Sequence, residues 1–115
     1  MRADDRIRLR HMIEAGEAMA QFLAGRSRAD LDSDRMLLFA VVRAIEVIGE
    51  AAARISEDAR ASAAAVPWKA IVGMRNRIIQ AYWDIDTDIV WKTAAEEVPV
   101  LLPLLRSVLE EGDKA

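Results

Sequence analysis

Residues 74–83, with the sequence MRNRIIQAYW, carry side chains that could act on phosphate, since a guanidinium is a planar fork of donors that stabilises charge on phosphoryl oxygens. Because each helical residue advances by about 100° around the axis, Tyr82 would lie almost directly below Arg75 at position i+7. Asn76 and Gln80 would form a second polar row at positions i and i+4. The apolar residues of the stretch would face the core on the opposite side: Met74, Ile78 and Ala81. The pattern predicts a helix that presents one specific polar side to a ligand or a partner.

Two separate blocks of the chain resemble the HepT-like toxins of the HEPN ribonuclease superfamily. They are residues 34–53, DRMLLFAVVRAIEVIGEAAA, and residues 67–91, PWKAIVGMRNRIIQAYWDIDTDIVW. The signature of that family is Arg-Asn, three variable residues, His, one variable residue and Tyr. The fixed positions of the signature that are matched here are Arg75, Asn76 and Tyr82. Gln80 stands where the family has histidine, and the resemblance extends over nearly the whole chain.

The resemblance implies a toxin-type, metal-independent endoribonuclease without a cofactor, whose active site forms where the motif helices of two subunits meet in a homodimer. In such a site the 2′-hydroxyl of RNA attacks the neighbouring phosphate after a base removes its proton. A histidine with a pKa near neutrality suits that task. By the same resemblance Arg75 would stabilise the charge on the phosphate, Asn76 would position the base, and Tyr82 would be an auxiliary hydrogen-bonding group.

Gln80 departs from the signature at the residue that would transfer the proton. An amide does not titrate near pH 7, although it can preserve the hydrogen-bonding shape of the site. Loss of a general acid or base typically slows a reaction by about 10²- to 10⁴-fold. We therefore expect a weak or inactive ribonuclease in an otherwise intact site, whether the glutamine is native or a deliberate inactivating change. The single histidine, His11, is interpreted as a surface residue because no companion motif surrounds it.

The resemblance also implies a protein partner. HepT-like toxins pair with MntA-like nucleotidyltransferase antitoxins, which transfer AMP to the motif tyrosine, and Tyr82 occupies that position. A nucleotide attached there would fill the cleft and place a negative phosphate beside Arg75. Two alternatives stay open: a non-catalytic helical module that binds nucleotide and docks a nucleotidyltransferase, and a plain dimerisation bundle whose motif residues hydrogen-bond across the dimer seam.

Composition restricts the kind of protein further. A chain of 115 residues predicts one domain, residues 1–115, and the content of 53% hydrophobic residues with 5 Gly and 3 Pro favours helices. The net charge of −3 argues against a broad nucleic-acid-binding surface, so RNA would have to contact a local group of cations. The candidates for that group are Arg43, Lys69, Arg75 and Arg77. The absence of cysteine is compatible with the cytoplasm, and the longest apolar run, residues 36–42, is too short to cross a membrane.

Apolar periodicity predicts an all-α, up-and-down bundle of four to five helices with a HEPN-like architecture. A first helix is expected over residues 5–24 and the longest over residues 34–61. The polar connection between them would provide Asp32 or Ser33 as the N-cap of the second helix. A short helix after Pro67 would precede the polar helix.

Towards the C-terminus, the sequence predicts several interruptions. Residues 84–88 would end the polar helix and cap a helical segment over residues 89–97. Pro99 and Pro103 would kink or restart the last helix, because proline lacks the N–H that a helix interior requires. Residues 110–115 would fray.

A polar row is expected along one side of the second helix: Arg43, Glu46, Glu50, Arg54 and Glu57. Glu50 and Arg54 have the favourable i,i+4 orientation for an ion pair, whereas Glu46 and Glu50 would repel each other. The row is either a solvated face or, through Arg43, Glu46 and Glu50, a surface that faces the polar helix or a partner chain. Gly49, which costs about 1 kcal/mol relative to alanine in mid-helix, indicates a close helix crossing. The residues expected to support the site are Arg43, Glu46, Glu50 and Arg77.

Overall fold

Three long helices form the framework of the computed structural model, which describes residues 1–79 and 84–114. They are α1 (Ala3–Leu23), α3 (Arg35–Ala53) and α8 (Val98–Lys114). Helix α1 packs against both α3 and α8. The residues that recur at helical spacing along one face of α1 are all buried: Leu9, Met12, Gly16, Met19 and Leu23. The core extends from these contacts of α1 to buried residues of the shorter helices, among them Ile71 and Ile78.

Shorter elements connect the framework helices. They are α2 (Asp30–Ser33), α4 (Glu57–Ser62), α5 (Trp68–Val72), α6 (Met74–Ile78), α7 (Thr87–Lys92) and a π-helical turn (Thr93–Glu97) that leads into α8. The predicted all-α bundle is confirmed, but the described ranges hold eight α-helices rather than four or five, because several expected segments are divided. None of the helices in those ranges is both long and apolar enough to span a bilayer.

The connection between α1 and α3 differs from its prediction in one cap. Gly25, with a positive φ of 72°, follows the end of α1, since glycine adopts this conformation without steric cost. Asp34, rather than Asp32 or Ser33, is the N-cap of α3 and accepts the N–H of Leu37 at 3.1 Å. The predicted caps are unavailable because both residues lie inside the short helix α2.

The single long helix predicted over residues 34–61 is wrong, because Ser56 separates α3 from α4. Ser56 has an extended backbone and caps α4 by accepting the N–H of Ala59. Its own N–H and hydroxyl donate to the carboxylate of Asp5 at 2.9 Å and 2.7 Å. Asp5 is only 3% exposed, so these hydrogen bonds satisfy a carboxylate that is buried against the start of α1.

Replacement of Asp5 by alanine should lower the free energy of unfolding at pH 7 by about 2–3 kcal/mol, because it leaves the polar groups of Ser56 without their acceptor. Burial raises the pKa of Asp5, but the two hydrogen bonds from Ser56 and the charge of Arg2 outweigh it and hold the pKa below the usual value. The stabilisation should be complete above about pH 4 and disappear as the pH falls through the lowered pKa. Urea unfolding followed by circular dichroism measures the effect. The matched control is Asp4→Ala, since Asp4 is exposed, and equal losses in the two variants would contradict the account.

The predicted C-terminal interruptions are found in part. A π turn ends at Glu97 and α8 begins at Val98, so the last helix restarts beside Pro99 as predicted, and α8 then continues through Pro103. The prediction that residues 110–115 fray is wrong for residues 110–114, which belong to α8. Asp113 forms an ion pair with Arg6 at 3.5 Å, which connects this end of α8 to α1.

Glycine allows the segment before α6 to approach α3 closely, as the sequence predicts. A Cβ atom on Gly49 would lie 3.4 Å from the carbonyl oxygen of Ile71 and 3.6 Å from that of Val72, both in α5. The end of α5 therefore packs directly on the middle of α3. Because α6 follows α5 after a single residue, Gly73, this contact places α6 beside the polar row of α3.

Candidate functional site

Helix α6 separates its apolar residues from its polar ones. Met74 and Ile78 are buried, as predicted, and fix the helix on the core. Arg75 and Asn76 are exposed, with 49% of the Arg75 side chain accessible to solvent. The guanidinium of Arg75 is therefore available to a ligand rather than committed to the interior.

Arg75 lies next to the acidic residues of α3. Its Nε is 3.9 Å from Oε2 of Glu46. On α3 itself, Nη1 of Arg43 lies 3.6 Å from the same Glu46 oxygen and 3.5 Å from Oε1 of Glu50. Within the described residues, Glu46 is the member of the polar row that pairs with α6, whereas the side chains of Arg43 and Glu50 are more than half exposed, so both interpretations of the row stay open. We refer to Arg43, Glu46, Glu50 and Arg75 as the Arg75 cluster.

The charges of the Arg75 cluster are balanced internally. Arg43 lies between Glu46 and Glu50 and offsets the repulsion that was expected between the two carboxylates, and Glu50 pairs with Arg43 rather than with the predicted Arg54. An exposed ion pair of this length contributes roughly 0–1 kcal/mol. The guanidinium of Arg75 can therefore exchange a carboxylate oxygen for a phosphate oxygen at little cost.

Arg77 does not join the Arg75 cluster. It lies on the other flank of α6, where Nη2 and Nη1 contact the two carboxylate oxygens of Glu97 at 3.1 Å and 3.4 Å. Glu97 belongs to the π turn, so this two-pronged contact attaches α6 to the C-terminal part of the chain. Arg77 pairs with Glu97, and its expected role in support of the site stays a prediction.

The prediction of one polar helix through residue 83 is wrong beyond Ile78. Ile79 is extended, with φ −103° and ψ 116°, and forms an isolated antiparallel bridge with Ile85. The N–H of Asp86 donates to the carbonyl oxygen of Ile78 at 2.8 Å. Two successive β-branched residues favour this change from helix to extended chain. The helix that carries Arg75 therefore ends at Ile78.

The remaining motif residues, Gln80 and Tyr82, lie outside the described residues, together with Ala81 and Trp83. The predictions made for them stay predictions. In the sequence they fall between Ile79 and Ile85, whose bridge joins the two ends of the intervening chain.

Two features near the site had no signal in the sequence. The first is a hydrogen-bonded network around Arg28 that reaches the start of α7, between residues about 60 positions apart. The second is a pair of exposed apolar side chains on α3, Met36 and Phe39, with exposures of 84% and 53%. They precede Arg43 at helical spacing on the same face of α3. His11 is exposed on α1, in agreement with its interpretation as a surface residue.

Comparison with known proteins decides the family. A family model described as "Ribonuclease HepT-like" matches residues 12–108. The chain belongs to the HepT-like ribonuclease family. A Thermococcus cleftensis protein named "Probable ribonuclease HepT" is 36% identical over 93 residues, which cover 81% of this chain and 84% of that protein.

Two further relatives of this HepT-like chain differ in length. "Putative RNase TTE0752" of Caldanaerobacter subterraneus subsp. tengcongensis is 33% identical over 103 residues, covering 90% of this chain and 92% of the relative. "Gamma-glutamylcyclotransferase and putative RNase MJ0434" of Methanocaldococcus jannaschii is 31% identical over 114 residues, which cover 99% of this chain but 51% of the longer relative. No solved structure gives a significant match. Family membership supports an RNA-cleaving enzyme by family.

Proposed function

We propose that this HepT-like chain is a toxin-type endoribonuclease that acts as a homodimer and is impaired by Gln80. We further propose that a nucleotidyltransferase antitoxin of the MntA type neutralises it by transferring AMP to Tyr82. The observation that carries the proposal is the exposed guanidinium of Arg75, adjacent to Glu46, in a chain of a ribonuclease family.

The proposed reaction is an internal transfer of the RNA phosphate and involves no metal ion. The 2′-oxygen forms a bond to phosphorus while the bond from phosphorus to the 5′-oxygen breaks, which leaves a 2′,3′-cyclic phosphate and a 5′-hydroxyl. One proton leaves the 2′-hydroxyl and one is delivered to the departing oxygen. Arg75 stabilises the charge that develops on the phosphoryl oxygens, and Asn76 positions the group that carries the protons. Gln80 hydrogen-bonds at that position but transfers no proton.

The exposed face of α3 favours a second copy of the chain as part of the assembly. Met36 and Phe39 are large, exposed apolar side chains of a kind that is enriched in subunit interfaces, although Arg35 covers part of the Phe39 ring at 5.1 Å. They continue along α3 into the Arg75 cluster, which contains both signs of charge. A two-fold contact through this face would pair arginines of one protomer with glutamates of the other. The proposed homodimer therefore brings two copies of Arg75 close to one shared surface.

One alternative function is specifically favoured by Gln80. A chain that lacks the proton carrier could serve as a non-catalytic module that binds nucleotide and docks a nucleotidyltransferase. Both functions require an anion to bind at Arg75, whereas a plain dimerisation bundle does not. The effect of histidine at position 80 separates the two binding functions, since only the ribonuclease gains activity from it.

Titration of the chain with a fluorescently labelled single-stranded RNA should show saturable binding that weakens by about tenfold or more in Arg75→Ala, because a charge-assisted contact to phosphate contributes about 1.5–3 kcal/mol. The matched control is Arg106→Ala. The Arg106 side chain is 50% exposed, against 49% for Arg75, and forms a comparable pair with Glu17 at 3.9 Å, but it lies on α8. Equal affinities of the two variants, or no saturable binding at all, would contradict a phosphate site at Arg75.

A further inference from the structure

Arg28 connects two distant parts of the chain through all three of its side-chain nitrogens. Its Nε donates to Asp88 at 2.5 Å, Nη1 to Asp32 at 2.6 Å, and Nη2 to the hydroxyl of Thr87 at 2.9 Å. The Thr87 hydroxyl in turn donates to Asp32 at 3.0 Å. Arg28 and Asp32 belong to the connection between α1 and α3, whereas Thr87 and Asp88 form the first turn of α7. We refer to these four residues as the Arg28 network.

The first turn of α7 is joined in turn to the end of α6. Asp86, the N-cap of α7, accepts the N–H groups of Asp88 and Ile89 at 3.1 Å, and its own N–H donates to the carbonyl oxygen of Ile78. The bridge between Ile79 and Ile85 adds a second connection at the same place. An unbroken series of hydrogen bonds therefore leads from Arg28 to the last residue of the helix that carries Arg75.

The geometry of the Arg28 network is suited to orienting the two segments that it joins rather than to raising the stability of the fold. Asp88 is 80% exposed, and exposed ion pairs contribute little to stability. Three simultaneous hydrogen bonds from the planar guanidinium of Arg28 nevertheless fix both the distance and the relative direction of the two segments, which a single point charge would not do. Hydrogen bonds to Asp88 and Asp32 raise the pKa of Arg28, and the bond from Arg28 is the main cause that lowers the pKa of Asp32. Both shifts favour the charged forms of Arg28 and Asp32.

We propose that Arg28 is a positioning residue of the ribonuclease site. By holding the start of α7, to which the end of α6 is hydrogen-bonded, it fixes the position of the helix that carries Arg75. The inference rests on the proposed function, since it assumes that Arg75 acts on the phosphate of RNA. Arg28 itself touches no reacting atom.

The test compares Arg28→Ala with Arg26→Ala, each in the Gln80→His background. Arg26 lies on the same connection but pairs with Asp34, the cap of α3, at 3.3 Å. Arg28→Ala should lower kcat by up to about 10²-fold, because a displacement of about 1 Å can cost that much, with little change in KM or Tm. Arg26→Ala should keep the parent rate. Millimolar guanidinium chloride should restore part of the rate of Arg28→Ala by occupying the vacated position, and equal concentrations of sodium chloride should not.

Hydrogen exchange provides a reading that does not depend on cleavage. In Arg28→Ala the amide of Asp86, which donates to Ile78, should exchange severalfold faster, whereas Arg26→Ala should leave it unchanged. Unchanged exchange, equal rates of cleavage in the two variants, or recovery with sodium chloride would overturn the positioning role. If the Gln80→His parent cleaves no RNA, the proposed function fails instead, and the exchange result alone decides whether Arg28 holds α7 against α6.

Discussion

Substitution of Gln80 by histidine should raise the rate of RNA cleavage by about 10²- to 10⁴-fold, the usual contribution of a general acid or base. Every other motif residue is already present, and Arg75 is exposed beside Glu46, so a single change supplies the missing proton carrier. The rate should rise with pH in the region of about 6.5, where an imidazole loses its proton and becomes a base. Initial rates on an end-labelled RNA, measured from about pH 5 to pH 8, check both statements.

Two further variants show whether the gain comes from proton transfer. Gln80→Asn keeps an amide and should stay at the rate of the unsubstituted chain. Gln80→His combined with Arg75→Ala should lose most of the gain, because the developing phosphate charge is then uncompensated. A Gln80→Asn variant as fast as Gln80→His would show that the amide was not the limiting group.

Transfer of AMP to Tyr82 should abolish the activity that histidine restores. The attached nucleotide carries a negative phosphate and the bulk of a base and a ribose, and our proposal places both beside Arg75, where RNA would have to bind. Co-expression of the Gln80→His chain with a cognate MntA-like nucleotidyltransferase should give a protein whose mass is increased by AMP and whose cleavage rate falls to background. Intact-mass spectrometry and the same RNA assay provide the two measurements.

The composition of the chain makes the control for this modification unusually clear. Tyr82 is the only tyrosine, so a tyrosine adduct has one possible location. Tyr82→Phe in the Gln80→His background should remain unmodified and should keep cleaving in the presence of the antitoxin. An adduct on Tyr82→Phe, or full cleavage by the modified protein, would contradict neutralisation through this residue.

The parts of the fold that follow from local pattern were predictable from sequence. Leu9, Met12 and Met19 recur at helical spacing and are all buried in α1, because the apolar face of a long helix is determined by its own residues. The positions of Gly25 at the end of α1 and of Gly49 at a helix crossing were also evident, since each follows from the absence of a side chain.

The parts that depend on distant partners were not predictable. The interruption at Ser56 is stabilised by Asp5, which lies 51 positions away. The end of α6 at Ile78 coincides with the pairing of Ile79 with Ile85. The helical periodicity of the apolar residues does not predict such a bridge. These contacts form only when the chain has folded, so the single-helix prediction continued too far in both cases.

The candidate site was predictable in its residues more than in its geometry. The polar row of α3 indicated that Arg43, Glu46 and Glu50 share a face, but the pattern of a polar face does not predict which element packs against it. The packing of α5 on α3 brings Arg75 to Glu46, and this depends on tertiary contacts around Gly49. Arg77, which has the same residue type and lies two positions further along α6, turns to Glu97 instead.

The most direct test of the account is an analysis of the products that the Gln80→His chain forms from a short RNA and from the same RNA with 2′-deoxyribose at the cleaved position. We expect the all-ribose RNA to give a 2′,3′-cyclic phosphate and a 5′-hydroxyl end, with no such products from Gln80→His combined with Arg75→Ala. The 2′-deoxy RNA should remain intact, since it lacks the attacking oxygen. Intact RNA in every reaction, or cleavage of the 2′-deoxy strand at an equal rate, would contradict an RNA-cleaving site built around Arg75.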